Sequence, residues 1–308
     1  MTNVVTLTMN PALDIATTTD RIVPDHKLRC DVPRYDPGGG GINVARAMRS
    51  LGVGALAVFP AGGAAGELIG QLLDTEGVDY AIVPISGFTR ESLNVVERAS
   101  GKQYRFILPG PDIGPVDQQR CLDKVAAAAG DAAYIVASGS LPLGVSDDFY
   151  SRVVALAARC GKRLILDTSG AALRNAGPGV YLLKPSLSEL EGLLGRPVRT
   201  ELEEHQAARE LIERGYCKIA VVSLGARGAV VASKEGVQRL PAISVSGKSG
   251  VGAGDSMLAG IIAGLTRGRS LIEAVRYGIA AGAAALLGAG TQLCRLEDVE
   301  RLYQGSFR

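Results

Sequence analysis

A run of small residues followed by an aspartate, Val251-Gly252-Ala253-Gly254-Asp255, stands directly before an apolar stretch with helical periodicity. The first turn of a helix carries N–H groups without intrahelical partners and the positive end of the helix dipole. Because Gly252, Ala253 and Gly254 leave those N–H groups uncovered, they predict a binding site for an anion. Asp255 is placed to accept a proton from a hydroxyl that attacks this anion, as phosphoryl transfer requires.

The same motif also has a purely structural interpretation. A carboxylate in the first turn stabilises a helix by roughly 0.3–1 kcal/mol without any ligand. The motif alone therefore leaves an anion site and a structural turn open as alternatives, and other segments must decide between them.

A second glycine-rich segment, Gly38-Gly39-Gly40-Gly41-Ile42-Asn43, also precedes a helical pattern. Its glycines allow a ligand to approach the backbone closely, and the Asn43 amide offers both a donor and an acceptor. No strand is predicted before these glycines, so the segment is not interpreted as a dinucleotide-binding fingerprint. It predicts a ligand site of another kind.

Single polar residues follow several of the predicted strands. Asp14 comes just after the first strand, where a carboxylate points to the ligand edge of an α/β sheet. Arg90 and Ser138 stand near the ends of later segments, and an arginine fork suits a dianionic phosphate ester. Lone arginines and serines are usually surface groups, so these two need support from elsewhere.

Two later segments combine a structural role with a second one. In Lys184-Pro185-Ser186-Leu187-Ser188-Glu189 the spacing of serine and glutamate fits a helix capping box, and Glu189 also suits a hydrated Mg²⁺. Residues 223–228, Ser223-Leu224-Gly225-Ala226-Arg227-Gly228, read as the end of a strand and a glycine-bounded turn. Such a turn is also able to contact a nucleotide.

The elements that must position these residues alternate between short apolar runs and longer helical patterns, which indicates βαβ units and a mostly parallel sheet covered on both faces. Strands are predicted at Val4–Thr8, Ala55–Phe59, Tyr80–Val83, Ala133–Ala137, Arg163–Asp167, Tyr181–Leu183 and Ile219–Ser223. Helices are predicted at Asn43–Leu51, Glu67–Glu76, Asp117–Ala129, Asp147–Arg159, Leu187–Leu194, Glu201–Arg214, Asp255–Thr266 and Leu271–Leu287. Two extended and partly polar segments, at about 15–35 and 90–108, predict a small sheet outside the core that serves as a lid on a single domain over 1–308.

Composition limits the possible partners and compartments. With Lys+Arg 33 against Asp+Glu 31 the formal net charge is +2, so nucleic acid is not expected as a partner. Five scattered cysteines without a C-x-x-C pair predict free thiols in a reducing compartment. No apolar run reaches the ~20 residues of a membrane span, and no signal peptide is indicated, so a cytoplasmic protein is expected.

Taken in order, these segments resemble the ribokinase-like PfkB family of carbohydrate kinases along nearly the whole chain. The similarity lies in Pro37–Ala47, Phe59–Gly63, Gln103–Phe106, Ser138–Pro142 and Val251–Met257. It implies a three-layer α/β/α sandwich with a mostly parallel central sheet and a small β-sheet lid. Gly40 stands where tagatose-6-phosphate kinases and 1-phosphofructokinases usually carry lysine, so the chain is most similar to the 6-phosphofructokinase branch.

The resemblance assigns roles to individual positions. It implies that Asp255 is the general base and that Gly252, Ala253 and Gly254 form the anion hole for the migrating phosphoryl group. For the sugar phosphate it implies Asp14, Gly39, Gly40, Asn43, Arg90, Ser138 and Ser140, with Lys27 and Arg29 reaching from the lid. For ATP it implies Lys184, Ser186, Ser223, Gly225 and Gly228.

The resemblance also implies metal ions and a partner. Glu189 would orient Mg²⁺ through water, and a monovalent cation, with K⁺ as the candidate, would be held by Ser249, Val251, Ala285, Gly288 and Gly290. The lid of this branch pairs with the lid of a second copy, so a homodimer is expected. Two positions depart from the family pattern, because Ser186 replaces an asparagine and Gly250 a threonine.

The expected activity is ATP-dependent phosphorylation of fructose 6-phosphate at its 1-hydroxyl. Tagatose 6-phosphate and fructose 1-phosphate remain alternative acceptors. A non-catalytic sensor of sugar phosphates is a further alternative, which the two departures favour slightly and the retained Asp255 disfavours.

Overall fold

The computed structural model describes residues 3–246, 250–288 and 292–307. Within these ranges thirteen strands form two sheets. The strands are β1 Val4–Leu7, β2 Ala12–Thr19, β3 Arg34–Gly38, β4 Ala55–Ala61, β5 Asp79–Pro84, β6 Arg90–Glu97, β7 Gln103–Ile107, β8 Tyr134–Ser138, β9 Arg163–Asp167, β10 Val180–Leu183, β11 Cys217–Ser223, β12 Ala229–Ser233 and β13 Gly236–Leu240.

Ten α-helices and one 3₁₀ turn, Gly225–Arg227, complete the described part of the chain. The helices are α1 Gly40–Ser50, α2 Gly63–Glu76, α3 Pro115–Ala128, α4 Phe149–Arg159, α5 Gly170–Arg174, α6 Leu187–Leu194, α7 Glu201–Glu213, α8 Ala253–Thr266, α9 Leu271–Leu287 and α10 Leu296–Phe307.

The large sheet has nine strands in the order β13-β12-β11-β10-β9-β8-β1-β4-β5. From β11 across to β5 every neighbouring pair is parallel, whereas β12 and β13 run antiparallel at one edge. Strand residues alternate between two apolar cores, so Val4 packs on one face of the sheet and Val5 on the other. Helices α1, α2, α8, α9 and α10 bury side chains in the first core, and α3 to α7 in the second. The predicted three-layer α/β/α fold is therefore confirmed.

The seven strands predicted from the sequence are the seven parallel strands of this sheet, with ends that differ by up to two residues. Parallel strands are buried on both faces and so appear as continuous apolar runs. The antiparallel edge strands β12 and β13 and the helices α5 and α10 were not among the predicted elements. A helix of five residues such as α5 is too short to show a periodicity.

The second sheet has four strands in the order β3-β2-β6-β7 and contains much of the two extended segments predicted at about 15–35 and 90–108. Strand β2 pairs with β6 in parallel, and the two outer pairs are antiparallel. The prediction that no strand precedes the glycine run is wrong, because β3 ends at Gly38 and α1 begins at Gly40. Its sequence, Arg34-Tyr35-Asp36-Pro37-Gly38, lacks an apolar run because this sheet is not buried on both faces.

Helices α8 and α9 pack against each other through small residues. A Cβ atom at Gly260 of α8 would lie 2.7 Å from the Cβ of Ala281, and one at Gly278 of α9 would lie 2.4 Å from Cγ1 of Ile261. The two backbones therefore approach each other more closely than larger side chains would permit. This contact fixes α8, and with it the aspartate motif at its start, against α9. None of the described helices is both long and apolar enough to cross a membrane.

Candidate active site

A cavity of about 450 Å³ lies between the small sheet and the carboxyl ends of the parallel strands β8 and β9. Most of the predicted sugar and catalytic residues meet there, although they come from distant parts of the sequence. The described lining includes Asp14, Gly39, Gly40, Asn43, Arg90, Ser138, Ser140, Glu189, Val251, Gly252 and Asp255. The structure thus brings together both glycine-containing motifs and the polar residues that follow the strands.

The start of α8 forms one wall of this cavity. Gly252 occupies the N-cap position with φ of 74°, a left-handed conformation that favours glycine, and no described side chain caps the helix. Ala253 and Gly254 follow as the first helical residues. The N–H groups of the first turn are therefore left without side-chain caps, as the sequence predicts for an anion site.

Asp255 lies on the same wall and borders the cavity, although protein atoms surround its carboxyl group. Burial, together with the charge of Asp167, raises its pKa to about 6. A hydrogen bond of 2.9 Å from Asn43 Nδ2 to Asp255 Oδ2 and the charge of Lys184 act in the opposite direction. The group is thus ionised at neutral pH and has a pKa near the value that suits a general base.

An ion pair stands beside this aspartate. Lys184 Nζ lies 3.0 Å from Asp167 Oδ2, and both side chains are largely buried. Burial lowers the pKa of Lys184, but the combined attraction of the carboxylates of Asp167, Asp255 and Glu189 outweighs it and raises the pKa above the ordinary value. A Cβ atom at Gly254 would lie 3.8 Å from Lys184 Nζ, so this ammonium group sits against the first turn of α8. A positive charge therefore reinforces the uncapped helix end.

The opposite wall belongs to the small sheet. Asp14 of β2 has its pKa raised to about 6 by burial, against the opposing charges of Arg90 and Arg105. Arg90 donates to the backbone oxygen of Asn10 at 3.1 Å, while its buried Nε has no hydrogen-bond partner among the described groups. Two arginines and one carboxylate on one wall suit a ligand that carries both a phosphate and hydroxyl groups.

Close contacts explain why the cavity floor needs glycine at one position. A Cβ atom at Gly40 would lie 2.3 Å from the Oγ of Ser138 and 3.0 Å from the backbone nitrogen of Gly139. Any larger residue at Gly40, lysine included, would have to displace Ser138 or the backbone beside it. The glycine that separates the family branches is thus fixed by packing in this chain.

Several lining residues carried no predicted role, among them Asp167, Arg105 and Ser92. Asp167 ends a predicted strand, so the rule that ligands bind at the carboxyl ends of parallel strands would have found it. Arg105 and Ser92 come from β7 and β6 of the small sheet. Nothing in the local sequence indicates which face of those strands would meet the cavity.

The predicted nucleotide residues lie together, next to the described cavity lining rather than in it. Ser186 and Ser223 form a β-bridge, and Ser223 donates its N–H to the oxygen of Pro185 at 2.9 Å. Gly225 and Gly228 bound the 3₁₀ turn that follows β11. These groups stand at the carboxyl ends of β10, which lies next to β9, and of β11, which lies next to β10.

Ser186 is the N-cap of α6, and the predicted capping box is confirmed. Its side chain accepts from the Glu189 N–H at 3.3 Å, and Glu189 Oε2 accepts from the Ser186 N–H at 2.7 Å. Glu189 also lines the cavity. It therefore has both the structural role and a position from which a hydrated metal ion is within its reach.

The remaining predicted residues lie elsewhere or beyond the described ranges. Lys27 and Arg29 are exposed between β2 and β3 and are not among the described lining residues. Ala285 and Gly288 lie at the end of α9, whereas Val251 lines the cavity. Ser249 and Gly290, both predicted for the cation, fall outside the described residues.

Comparison with known proteins agrees with this geometry. The profile of the "pfkB family carbohydrate kinase" matches residues 4–298. The ATP-dependent 6-phosphofructokinase isozyme 2 of Mycobacterium tuberculosis (strain CDC 1551 / Oshkosh) is 51% identical over 98% of this chain and 89% of that protein. The protein of the same name from Escherichia coli (strain K12) is 42% identical over 98% of both chains. The crystal structure of phosphofructokinase-2 from Escherichia coli in complex with potassium superposes with a TM-score of 0.95 at 41% identity and covers both chains fully.

Proposed function

The chain belongs to the pfkB family of carbohydrate kinases, and we propose that it is an ATP-dependent 6-phosphofructokinase that converts fructose 6-phosphate to fructose 1,6-bisphosphate. One observation carries the proposal: the ionisable Asp255 at an uncapped helix start faces a wall with two arginines and an aspartate across a single cavity. The names of the most similar relatives support the same reaction.

The two walls of the cavity contact different groups of the sugar phosphate. Arg90 and Arg105 bind the 6-phosphate, because a guanidinium fork matches phosphate oxygens and carries a permanent charge. Asp14 and Asn43 bind hydroxyl groups, and Ser138 and Ser140 extend the polar floor. The reacting 1-hydroxyl, at the other end of the sugar, then lies near Asp255.

Asp255 accepts the proton of the 1-hydroxyl while the hydroxyl oxygen attacks the γ-phosphorus of ATP, and ADP leaves. The N–H groups at the start of α8 and the ammonium of Lys184 stabilise the charge of the transferring phosphoryl group. These groups are already in place before reaction, so little reorganisation is needed.

The nucleotide lies along the carboxyl ends of β10 and β11, where Ser186, Ser223, Gly225 and Gly228 are grouped. Glu189 and Asp167 both border the cavity, and one or two carboxylates with water and substrate phosphates are what Mg²⁺ prefers. Bound Mg²⁺ would neutralise charge on the phosphates of ATP.

A monovalent cation fits between the start of α8 and the end of α9. A Cβ at Gly252 would lie 2.7 Å from Leu293 and one at Gly288 would lie 2.9 Å from Gln292, so adjacent residues link the two segments. The carbonyl groups at the end of a helix carry partial negative charge, which favours a cation. Val251, Ala285 and Gly288 are the described residues of this predicted site, and the potassium complex of the similar protein supports K⁺.

The small sheet serves as the lid of this single kinase domain and as its dimer contact. Closing it over the cavity excludes the water that would otherwise hydrolyse ATP. Its exposed apolar side chains, among them Tyr35, Phe106 and Leu108, support pairing with the lid of a second copy. Lys27 and Arg29, exposed between β2 and β3, are then available to a partner's cavity.

Steady-state kinetics with four acceptors test the proposal. Initial rates of ADP formation are measured with fructose 6-phosphate, tagatose 6-phosphate, fructose 1-phosphate and free fructose, and kcat/KM is compared. We expect fructose 6-phosphate to exceed free fructose by at least about 10²-fold, because unpaired arginines are left behind when the phosphate is missing. A preference for tagatose 6-phosphate or fructose 1-phosphate would assign the chain to another branch, and binding without ADP formation would make it a sensor.

A further inference from the structure

Arg46, in the second turn of α1, has an almost fully buried side chain. It is 8% exposed, and every nitrogen of its guanidinium group has an acceptor. Nε and Nη2 donate to the two carboxylate oxygens of Glu76 in α2 at 2.6 and 2.5 Å. Nη1 donates to the backbone oxygen of Pro37 at 2.8 Å and to Oδ1 of Asn43 at 3.3 Å.

The last of these contacts determines how the Asn43 amide is oriented. A guanidinium group has donors and no acceptor, so only the oxygen of the amide can face Arg46. The nitrogen of the amide must then point the other way, where it donates to Oδ2 of Asp255 at 2.9 Å. Glu76, Arg46, Asn43 and Asp255 thus form one chain of hydrogen bonds from α2 to the start of α8.

We propose that Arg46 is a positioning residue for phosphoryl transfer, which holds the Asn43 amide with its nitrogen toward Asp255 while Glu76 anchors the guanidinium group. The inference rests on the proposed function, because it needs Asp255 to act as the base. Arg46 itself is not among the residues assigned to substrate, ATP or metal.

The orientation matters because the two ends of an amide have opposite effects on a carboxylate. A donor at Asp255 favours its ionised form, whereas an amide oxygen there would repel it and favour the protonated form. The other charged groups that face Asp255 are Asp167 and Asp14, which disfavour ionisation, and Lys184, which favours it. Loss of the Asn43 donor would therefore shift the balance toward a protonated group that cannot accept the substrate proton.

A merely structural role for Arg46 makes a different prediction. The residue also ties β3 and α2 to α1 through Pro37 and Glu76, so its removal disturbs the small sheet as well. Such a disturbance would lower activity whether or not Asn43 is present. The two roles are therefore distinguished by whether the effect of Arg46 depends on Asn43.

A double-mutant cycle on kcat tests this dependence, with Arg46→Met, Asn43→Ala and the double variant assayed at saturating substrates. We expect Arg46→Met to lower kcat by about tenfold at pH 5, to leave KM for ATP within threefold, and to move the acidic limb of kcat upward by about one pH unit. In the Asn43→Ala background the same substitution should lower kcat by less than twofold. Equal losses in the two backgrounds would overturn the proposal.

Further variants keep the test decisive if Arg46→Met folds poorly. Glu76→Gln leaves the guanidinium group in place and weakens only its anchor, so a smaller change in the same direction is expected, again absent in the Asn43→Ala background. Arg46→Lys restores one donor and should recover part of the pH shift. Arg49→Met is the matched control, because Arg49 lies on the same helix, is exposed, and its side chain makes no hydrogen bond or ion pair within the described ranges. It should leave kcat and its pH profile unchanged. A pH shift in Arg49→Met, or none in either Arg46 variant or Glu76→Gln, would contradict the inference.

If no acceptor is phosphorylated, the proposed function itself fails. If fructose 6-phosphate is turned over but the cycle is additive, only the role of Arg46 fails.

Discussion

Asp255 and Asp14 lie on opposite walls of one cavity, and burial raises the pKa of each to about 6. The two aspartates differ in the structural elements that position their side chains. Asp255 belongs to a helix packed in the main core and has a direct hydrogen bond from Asn43. Asp14 lies on a strand of the small sheet, and arginine charges oppose its burial. Similar ionisation thus arises in the wall formed by the core helix α8 and in the wall formed by the small sheet, which is the proposed lid.

This difference suggests a division of labour. A group that accepts a proton in the transition state needs a fixed position, whereas a group that binds a hydroxyl can move with a closing lid. The same substitution, aspartate to asparagine, should therefore affect kcat at one wall and KM at the other. The predictions below test that contrast.

The largest effect is expected for Asp255→Asn, which removes the proposed base and keeps the shape of the side chain. We expect kcat with fructose 6-phosphate to fall by about 10³-fold, since general base catalysis contributes roughly 10²–10⁴-fold. Calorimetric titration should show a dissociation constant for the sugar phosphate within about threefold of the unmodified protein. Turnover near the original rate would show that another group accepts the proton.

Asp14→Asn should have a smaller effect of another kind. Loss of a charged acceptor for a sugar hydroxyl costs about 1.5–3 kcal/mol, which raises KM for the sugar phosphate by about 10- to 100-fold. We expect kcat to fall by less than tenfold, as measured by initial rates at saturating substrate. A loss of kcat as large as that of Asp255→Asn would remove the proposed distinction between the walls.

The third prediction concerns stability and leaves activity aside, and here the two walls should behave alike. A folded-state pKa raised from 3.8 to about 6 means that each carboxyl group stabilises the fold below pH 4 and that this contribution is lost as the pH rises through 6. At pH 8 each ionised aspartate then costs up to about 3 kcal/mol relative to pH 4. In urea titrations, either asparagine variant should therefore have a higher free energy of unfolding than the unmodified protein. This difference should be larger at pH 8 than at pH 4.

Asp79→Asn, at an exposed position of β5, is the control for this comparison and should show no such difference between the two pH values. A gain in only one of the two cavity variants would mean that the walls differ in ionisation as well as in rigidity.

The sequence predicts the main core, which includes α8, better than it predicts the small sheet. The parallel strands and the start of α8 were predicted because continuous apolar runs and a motif at a helix boundary are local signals. The small sheet was predicted only as two extended segments, since polar residues on an exposed face give no clear strand pattern. Arg105 was missed for that reason, while Asp167 had a usable signal at the end of β9.

Contacts between residues that are distant in the sequence could not be predicted from local sequence patterns. Asn43 was expected to bind sugar hydroxyls, and that role stays a prediction. Its hydrogen bond to Asp255 joins residues 212 positions apart and is visible only in the folded chain. The pairing of Lys184 with Asp167 is of the same kind.

The glycine contact between α8 and α9 has a consequence for how this enzyme tolerates change. Because Gly260 and Gly278 leave no gap for even one extra methyl group, a substitution there has to shift a whole helix along or away from its neighbour. One of the two helices is α8, which begins with the residues proposed to bind the transferring phosphoryl group. Positions that do not contact a ligand therefore help to position the residues of the site. Inactive variants in a mutational scan should accordingly include substitutions in the contact between α8 and α9 as well as in the cavity.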